Sequence, residues 1–239
     1  MTEKLSDERF AEVSENYKRI SERIETARLK AGRKDEVRFM GVTKTVAPEL
    51  INHSVELGIR LLGENRVQEF LDKHESYDKR AQVHFIGALQ SNKVKYIIDK
   101  VSMIHSVDSI KLASEIDKRA RAHGLVMDIL VEINIGGEET KSGISPEELN
   151  AFIEETYGLR GIRIRGLMTI PPVNIDGSSE RYFAKMQEMF ESLKSETGGD
   201  SRFLVDTLSM GMSGDFETAI KYGSNIVRIG SLLYGYRKY

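Results

Sequence analysis

A lysine and two segments rich in glycine and serine are the residues of this chain best suited to chemistry. Lys44 closes the apolar run VRFMGVTK (37–44), and the segments LSMGMS (208–213) and VRIGS (227–231) follow much later. A lysine amine forms a Schiff base with a carbonyl group. Small-residue turns late in a chain of alternating strands and helices commonly hold a phosphate. Together they suggest a carbonyl cofactor that carries a phosphate, namely pyridoxal phosphate (PLP).

Each of these residues also has a simpler interpretation. A lysine at a strand end is usually a solvated charge, and SMGMS is also typical of a turn into the next helix. Glycine amides beside serine hydroxyls nevertheless favour an anion site. Arg228 precedes Gly230 by two residues on the same strand face, so it either meets a ring nitrogen or points outward. Asn65 either binds a cofactor hydroxyl or caps the following helix.

Short β-rich runs alternate with helix-sized segments from Val37 onward, which indicates parallel strands joined by crossover helices. Helix starts are marked by Pro48, by Asp108 as a cap, and by the capping-box sequence SPEE at 145–148. The eight predicted strands are Val37–Lys44, Arg60–Asn65, Val83–Leu89, Met103–Val107, Asp128–Ile135, Ile162–Ile170, Thr207–Met210 and Ile226–Gly230.

Eight such units predict an α/β fold, a single-domain (β/α)8 TIM-type barrel with an extra N-terminal helix. An amphipathic pattern over Thr2–Lys30 predicts that helix. We therefore expect residues 1–36 to pack on a barrel formed by residues 37–239, as one domain. A doubly wound open sheet is the alternative, although GVTKTV after the first strand is not the GxGxxG turn such sheets usually carry. In the barrel, Lys44, Asn65, Ser209–Ser213, Gly230 and Ser231 would all face one mouth.

Composition excludes several classes of function. The chain has 239 residues, 35 basic and 37 acidic residues and a formal charge of −2, which does not indicate nucleic-acid binding. Because there are no cysteines, disulfides, thiolate metal sites and cysteine nucleophiles are excluded, and the five histidines show no metal-site spacing. No apolar run is long enough for a membrane span, and no signal peptide is evident. We therefore expect a cytoplasmic protein, not bound to a membrane, and a monomer.

Seven motifs in order carry a resemblance to a known family. GVTKTV, GENRVQE, HFIGALQSNK, KSG, GLMTIPP, LSMGMS and VRIGS, spread from about Val37 to Gly235, resemble the pyridoxal phosphate homeostasis proteins. Members of that family are similar in fold to the N-terminal barrel of alanine racemase. The resemblance implies PLP held as an aldimine on Lys44, and phosphate contacts from Ser209, Ser213, Gly230 and Ser231. It also implies Arg228 at the pyridine nitrogen, and Asn65, His84 and Met168 as lining of the pocket.

The function implied by this resemblance is a non-catalytic carrier or regulator in vitamin B6 homeostasis, with transient exchange of PLP with enzymes. An arginine at the ring nitrogen leaves the ring a weak electron sink, which disfavours chemistry such as transamination. A racemase needs an acid or base on each face of the substrate, and in alanine racemases one comes from a second domain. We do not expect that domain here, because the chain stops at Tyr239, just after the eighth strand. An amino-acid racemase and a Schiff-base aldolase acting on a phosphorylated sugar remain as alternatives.

Overall fold

Eight parallel strands close into a barrel, and helices cover its outer surface. The computed structural model describes residues 6–172 and 179–235. Each strand pairs with the next along the chain, and β8 pairs with β1 to close the barrel. The strands are β1 (Arg38–Val42), β2 (Leu61–Glu64), β3 (Gln82–Phe85), β4 (Met103–Val107), β5 (Met127–Glu132), β6 (Ile162–Met168), β7 (Phe203–Ser209) and β8 (Ile226–Ile229).

Eight α-helices are present in the described part of the chain, seven of which follow β1 and one of which precedes it. They are α1 (Asp7–Lys30), α2 (Pro48–Leu57), α3 (Val67–Lys73), α4 (Ile110–Ala122), α5 (Leu149–Thr156), α6 (Ser179–Glu196), α7 (Phe216–Lys221) and α8 (Ser231–Tyr234). A 3-10 helix, Ser91–Tyr96, follows β3. The main apolar core lies between the barrel and these helices.

The barrel interior is filled by side chains from alternate positions of the strands. Met40, Leu61 and Ile226 form one small buried cluster, and Met103, Leu130 and Met168 form another. Arg228 lies two residues beyond Ile226 on β8 and pairs in register with Met40 of β1. Because side chains two apart on a strand share a face, Arg228 also points into the barrel, nearer the carboxyl ends of the strands.

The predicted barrel and all eight predicted strands are confirmed, with β4 at its predicted bounds and the other seven with different ends. The strands β1, β2 and β8 end before Lys44, Asn65 and Gly230, which therefore lie in the loops that follow. The strand β7 begins at Phe203, four residues earlier than the predicted Thr207. The first residues of β7 do not alternate between apolar and polar, because Leu204 points outward and is 48% exposed. Asp206 lies on the same outward side and accepts a hydrogen bond from Arg165 of β6.

Local capping chemistry sets several helix starts. Pro48 begins α2 as predicted. The predicted capping box at Ser145 is present, since the Glu148 carboxylate accepts the Ser145 amide at 2.7 Å. The predicted cap at Asp108 is wrong by one residue, because Ser109 Oγ accepts the Leu112 amide at 3.3 Å.

The helix α1 packs outside the barrel across the junction between β8 and β1. Val13, Ile20 and Ile24 form its buried side. Asn16 Nδ2 donates to the carbonyl oxygen of Leu233 on α8 at 3.1 Å, and Arg23 pairs with Glu217 of α7 at 2.9 Å. The first four residues of the predicted helix, 2–5, lie outside the described residues. Neither α1 nor any other helix of the described chain is long and apolar enough to cross a membrane.

Candidate functional site

A cavity of about 780 Å³ opens at the carboxyl ends of the barrel strands. Loops after seven of the eight strands, all but β4, contribute to its wall. Its lining residues are Val42, Lys44, Asn65, Ile86, Gly87, Ala88, Glu132, Thr140, Lys141, Ser142, Ile170, Met212, Ser213, Gly214, Arg228, Gly230 and Ser231. The volume is typical of a site for a small cofactor.

Lys44 stands on the wall of this cavity in the loop between β1 and α2. Its side chain is half-buried. Pro48 starts α2 only four residues later, so the loop is short and its backbone has little freedom. A partly covered amine on a short loop can attack a carbonyl group held inside the cavity.

Ser213, Gly230 and Ser231 form another part of the wall. Ser213 Oγ accepts the amide of Leu232 at 3.4 Å, which joins the loop after β7 to α8. The turn at Ser213 is shaped by Asp215, whose Oδ1 accepts the Met212 amide at 2.7 Å. Within the described residues the Ser213 hydroxyl proton has no acceptor, so it remains able to donate to an anion in the cavity.

Asn65 carries a side-chain oxygen that could accept a hydrogen bond but receives none from the described residues. Its Oδ1 is buried at the cavity wall and has no hydrogen-bond partner among the described residues. A Cβ on Gly87 would lie 2.2 Å from the backbone oxygen of Asn65, so the loops after β2 and β3 approach this closely because residue 87 is glycine. Since unpaired buried oxygens are costly, Asn65 Oδ1 indicates a missing hydroxyl or amine donor.

Arg228 is almost fully buried and is held by three hydrogen bonds. Nη1 donates to the Ser209 carbonyl oxygen at 2.8 Å and to Ser209 Oγ at 2.7 Å, and Nη2 donates to the Thr169 carbonyl oxygen at 2.8 Å. Burial lowers the pKa of Arg228 to about 10, although the nearby Glu132 and Asp215 oppose the shift. The guanidinium therefore stays protonated near neutral pH and can only donate.

Ser209, His84 and Met168 do not line the cavity. Ser209 Oγ lies 3.1 Å from His105 Nδ1, and His105 Nε2 lies 2.8 Å from His84 Nδ1. Burial lowers the pKa of His84 to about 3, with Arg38 and Arg165 adding to the shift, so the ring is neutral. Met168 packs in the barrel interior. These three predicted site residues are thus buried but not part of the cavity wall, and Ser209 is linked to the wall through Arg228.

Glu132 and Lys141 line the cavity, but the sequence did not single them out as site residues. Glu132 ends β5 and is buried, and this burial, together with Asp108, raises its pKa to about 7 while Arg228 opposes the shift. Lys141 Nζ bonds Glu138 and the Pro171 carbonyl oxygen. The position of Glu132 at a strand end was the available signal. Lys141 lies in the KSG motif, nine residues beyond the end of β5 in the long loop that follows that strand, so its distance from the strand end hid it.

The alanine racemase N-terminal domain family matches residues 14–238 of this chain. A pyridoxal phosphate homeostasis protein of Aquifex aeolicus is 47% identical over 228 residues, which cover 94% of this chain and 98% of that protein. A similar protein of Haemophilus influenzae is 35% identical, covering 95% and 97% of the two chains.

Solved structures show the same architecture. A crystal structure of an unknown protein from Bifidobacterium adolescentis has a TM-score of 0.90 and 35% identity, and covers 97% of this chain and 98% of its own. The protein PipY of Synechococcus elongatus, with PLP bound, has a TM-score of 0.77 and 28% identity, covering 93% of this chain and 100% of PipY. The likeness therefore extends over nearly whole chains.

Proposed function

We infer that this chain, which belongs to the family of pyridoxal phosphate homeostasis proteins, binds pyridoxal 5′-phosphate and takes part in vitamin B6 homeostasis. The protein would hold the cofactor as a Schiff base on Lys44 and release it when required. The observation that carries this proposal is the meeting of Lys44 with Ser213, Gly230 and Ser231 on the wall of one cavity.

The cavity suits the chemical groups of PLP. Its wall has three cationic side chains, Lys44, Lys141 and Arg228, against one carboxylate, Glu132, which favours a ligand that carries a phosphate dianion. The serine hydroxyls and backbone amides of the Ser213 and Ser231 segments are donors for phosphate oxygens. The buried Asn65 Oδ1, for which the described residues provide no donor, suits a ring hydroxyl.

The chain's own groups have separate roles in this proposal. Lys44 supplies the amine for covalent attachment, and Arg228 donates to the ring nitrogen without giving up its proton. When bound, the cofactor supplies an aldehyde and a ring that can withdraw electrons. Because an arginine partner limits that withdrawal, the arrangement favours holding the cofactor over reactions that need a strong electron sink.

A non-catalytic role is part of the proposal. The name of the 47% identical relative describes homeostasis rather than a reaction. We propose that the protein is a cytoplasmic monomer that exchanges PLP with enzymes. We also propose that residues 1–36 and the barrel form one domain.

Spectroscopy and mass spectrometry test the attachment. Purified protein loaded with PLP should show a visible absorption band that borohydride abolishes, and peptide mapping should place the pyridoxyl group on Lys44. Lys44→Ala should lose the band, whereas Lys93→Ala, a matched change outside the cavity, should keep it. An adduct found mainly on Lys93 or Lys141 would overturn the assignment.

Turnover is tested with amino acids in heavy water. Adding L- or D-alanine to the loaded protein should at most shift its spectrum, and deuterium should not enter Cα at the ~1–10³ per second typical of enzymes. Racemisation at such a rate would establish the racemase alternative, with Lys44 as one base. If the protein instead binds a phosphorylated sugar but not PLP, the result supports the aldolase alternative.

A further inference from the structure

The loop that carries Lys44 is held by the last residue of α3. Lys73 Nζ lies 3.2 Å from the Thr43 carbonyl oxygen, 3.0 Å from the Val46 carbonyl oxygen and 2.5 Å from Glu69 Oε1. An ammonium group has three N–H donors, and here each has one acceptor. Two of the three acceptors are backbone oxygens on either side of Lys44.

Glu69 holds the same loop from a second direction. Its Oε1 accepts the backbone amide of Thr45, the residue directly after Lys44. Although burial alone would raise the pKa of Glu69, the hydrogen bonds from Lys73 and from the Thr45 amide lower it. The carboxylate is therefore charged at neutral pH and remains a strong acceptor.

The Thr45 backbone needs such support. Its φ angle is +59°, which lies in the left-handed region, and among the described residues no other non-glycine residue has a positive φ. A β-branched residue in this region is strained and persists where its surroundings impose the conformation. The hydrogen bond from the Thr45 amide to Glu69 supplies one such constraint, next to the proposed attachment residue.

Burial distinguishes this pair from a surface ion pair. The side chains of Lys73 and Glu69 are 14% and 18% exposed. Glu75 and Lys79 have the same spacing of four residues, but they are 82% and 74% exposed and lie 3.8 Å apart. Ion pairs exposed to that degree contribute little, so the Glu75 and Lys79 pair is a matched control.

We propose that Glu69 and Lys73, called here the α3 clamp, are positioning residues that fix the β1–α2 loop so that the Lys44 amine faces the cavity. The inference rests on the proposed function, since it concerns the formation of the Schiff base. The clamp contacts Thr43, Thr45 and Val46 but neither residue lines the cavity. It should therefore affect covalent attachment to Lys44 and leave noncovalent binding of the ring and phosphate unchanged.

Two ligands separate these effects. PLP can form a Schiff base, whereas pyridoxine 5′-phosphate has the same ring and phosphate but an alcohol in place of the aldehyde. We expect Lys73→Met to weaken PLP about tenfold and pyridoxine 5′-phosphate less than about twofold, measured by equilibrium titration. Glu69→Gln should act in the same direction, and Lys79→Met should change neither affinity.

A double-mutant cycle completes the test. In a Lys44→Ala background, which has no amine to position, Lys73→Met should no longer weaken PLP selectively. Equal losses for the two ligands, or a selective loss that persists without Lys44, would overturn the proposal. If Lys73→Met fails to fold, Glu69→Gln takes its place. Its loss of PLP affinity is then compared with its loss of pyridoxine 5′-phosphate affinity in the same way.

Failure of the proposed function would be seen separately. In that case the wild-type protein itself would form no borohydride-reducible adduct on Lys44.

Discussion

Arg228 donates to Ser209 twice, since its Nη1 lies 2.8 Å from the carbonyl oxygen and 2.7 Å from the hydroxyl oxygen of Ser209. Ser209 Oγ is in turn 3.1 Å from His105 Nδ1. Burial lowers the pKa of His105 well below its usual range, and His84 and Arg228 add to the shift. A neutral imidazole can share a hydrogen bond with Ser209 without placing a second charge beside the guanidinium.

The rigid support of Arg228 predicts that lysine cannot replace it. Arg228→Lys keeps the charge but has no planar fork to reach Ser209 and the Thr169 carbonyl oxygen together. We expect PLP affinity to fall by about tenfold or more, equivalent to about 1.4 kcal/mol, in an equilibrium titration. Arg163→Lys, a change on the barrel's outer side where Arg163 pairs with Asp128, should leave affinity unchanged. Unaltered binding by Arg228→Lys would remove Arg228 from the site.

The donors of the Ser213 and Ser231 segments predict strong selection for phosphate. The protein should bind PLP more tightly than unphosphorylated pyridoxal by several kcal/mol, because each charge-assisted hydrogen bond contributes about 1.5–3 kcal/mol. Ser213→Ala and Ser231→Ala should each narrow this difference, whereas Ser192→Ala on the outer helix α6 should not. Equal affinities for the two compounds, measured by equilibrium titration, would exclude the phosphate site.

We expect the protein to become more stable when a substitution removes the charge of Glu132, by an amount that depends on pH. Its pKa is raised from 4.5 to about 7 by burial and by Asp108, against the opposing effect of Arg228. The folded protein without ligand therefore binds the proton more tightly than the unfolded chain, so this group's contribution to stability falls as pH rises from about 4.5 to about 7. At about 1.4 kcal/mol per pH unit over about 2.5 units, the cost above pH 7 approaches about 3.5 kcal/mol.

Glu132→Gln should therefore be more stable than the wild type at pH 8 and nearly equal to it below pH 4.5. Urea unfolding at several pH values measures the difference. Glu154→Gln, an exposed change on α5, provides the control. If the difference in unfolding free energy between Glu132→Gln and the wild type were the same at every pH, residue 132 would not titrate as described.

The contacts of α1 predict that the helix and the barrel unfold together. Ile20 is fully buried against the barrel's outer layer, and Ile20→Ala should destabilise the whole protein by about 2–5 kcal/mol. Far-UV and near-UV circular dichroism should report one coincident transition. Leu29→Ala, at a residue that is 62% exposed, should have little effect. Two separated transitions would show that α1 and the barrel are not one unit.

The strand order could be predicted from sequence because it depends on local pattern. Eight short apolar runs separated by helix-sized segments leave few arrangements, and Lys44, Asn65 and Gly230 follow strands whose carboxyl ends must converge. Their presence on one cavity wall is a consequence of the barrel rather than of any single motif.

The relations between side chains in different layers could not be predicted in this way. His84 and Met168 were expected to line the pocket, yet neither is on the cavity wall, because which strand residues reach the mouth depends on barrel stagger. The contacts of Lys73 with Thr43 and Val46 join two βα units, and neither segment alone predicts them. Glu132 became notable only when its burial was known.

Closure of the barrel has a consequence for how the protein is made. Phe39, Met40 and Gly41 of β1 pair with residues of β8, and the cavity needs both Lys44 and residues 228–231. During synthesis, residues 228–231 must therefore leave the ribosome before a ligand site exists. A nascent chain that stops before residue 228 lacks part of the cavity wall. We therefore expect it to withdraw no cofactor from the cell's pool, so that loading marks a molecule whose barrel has closed.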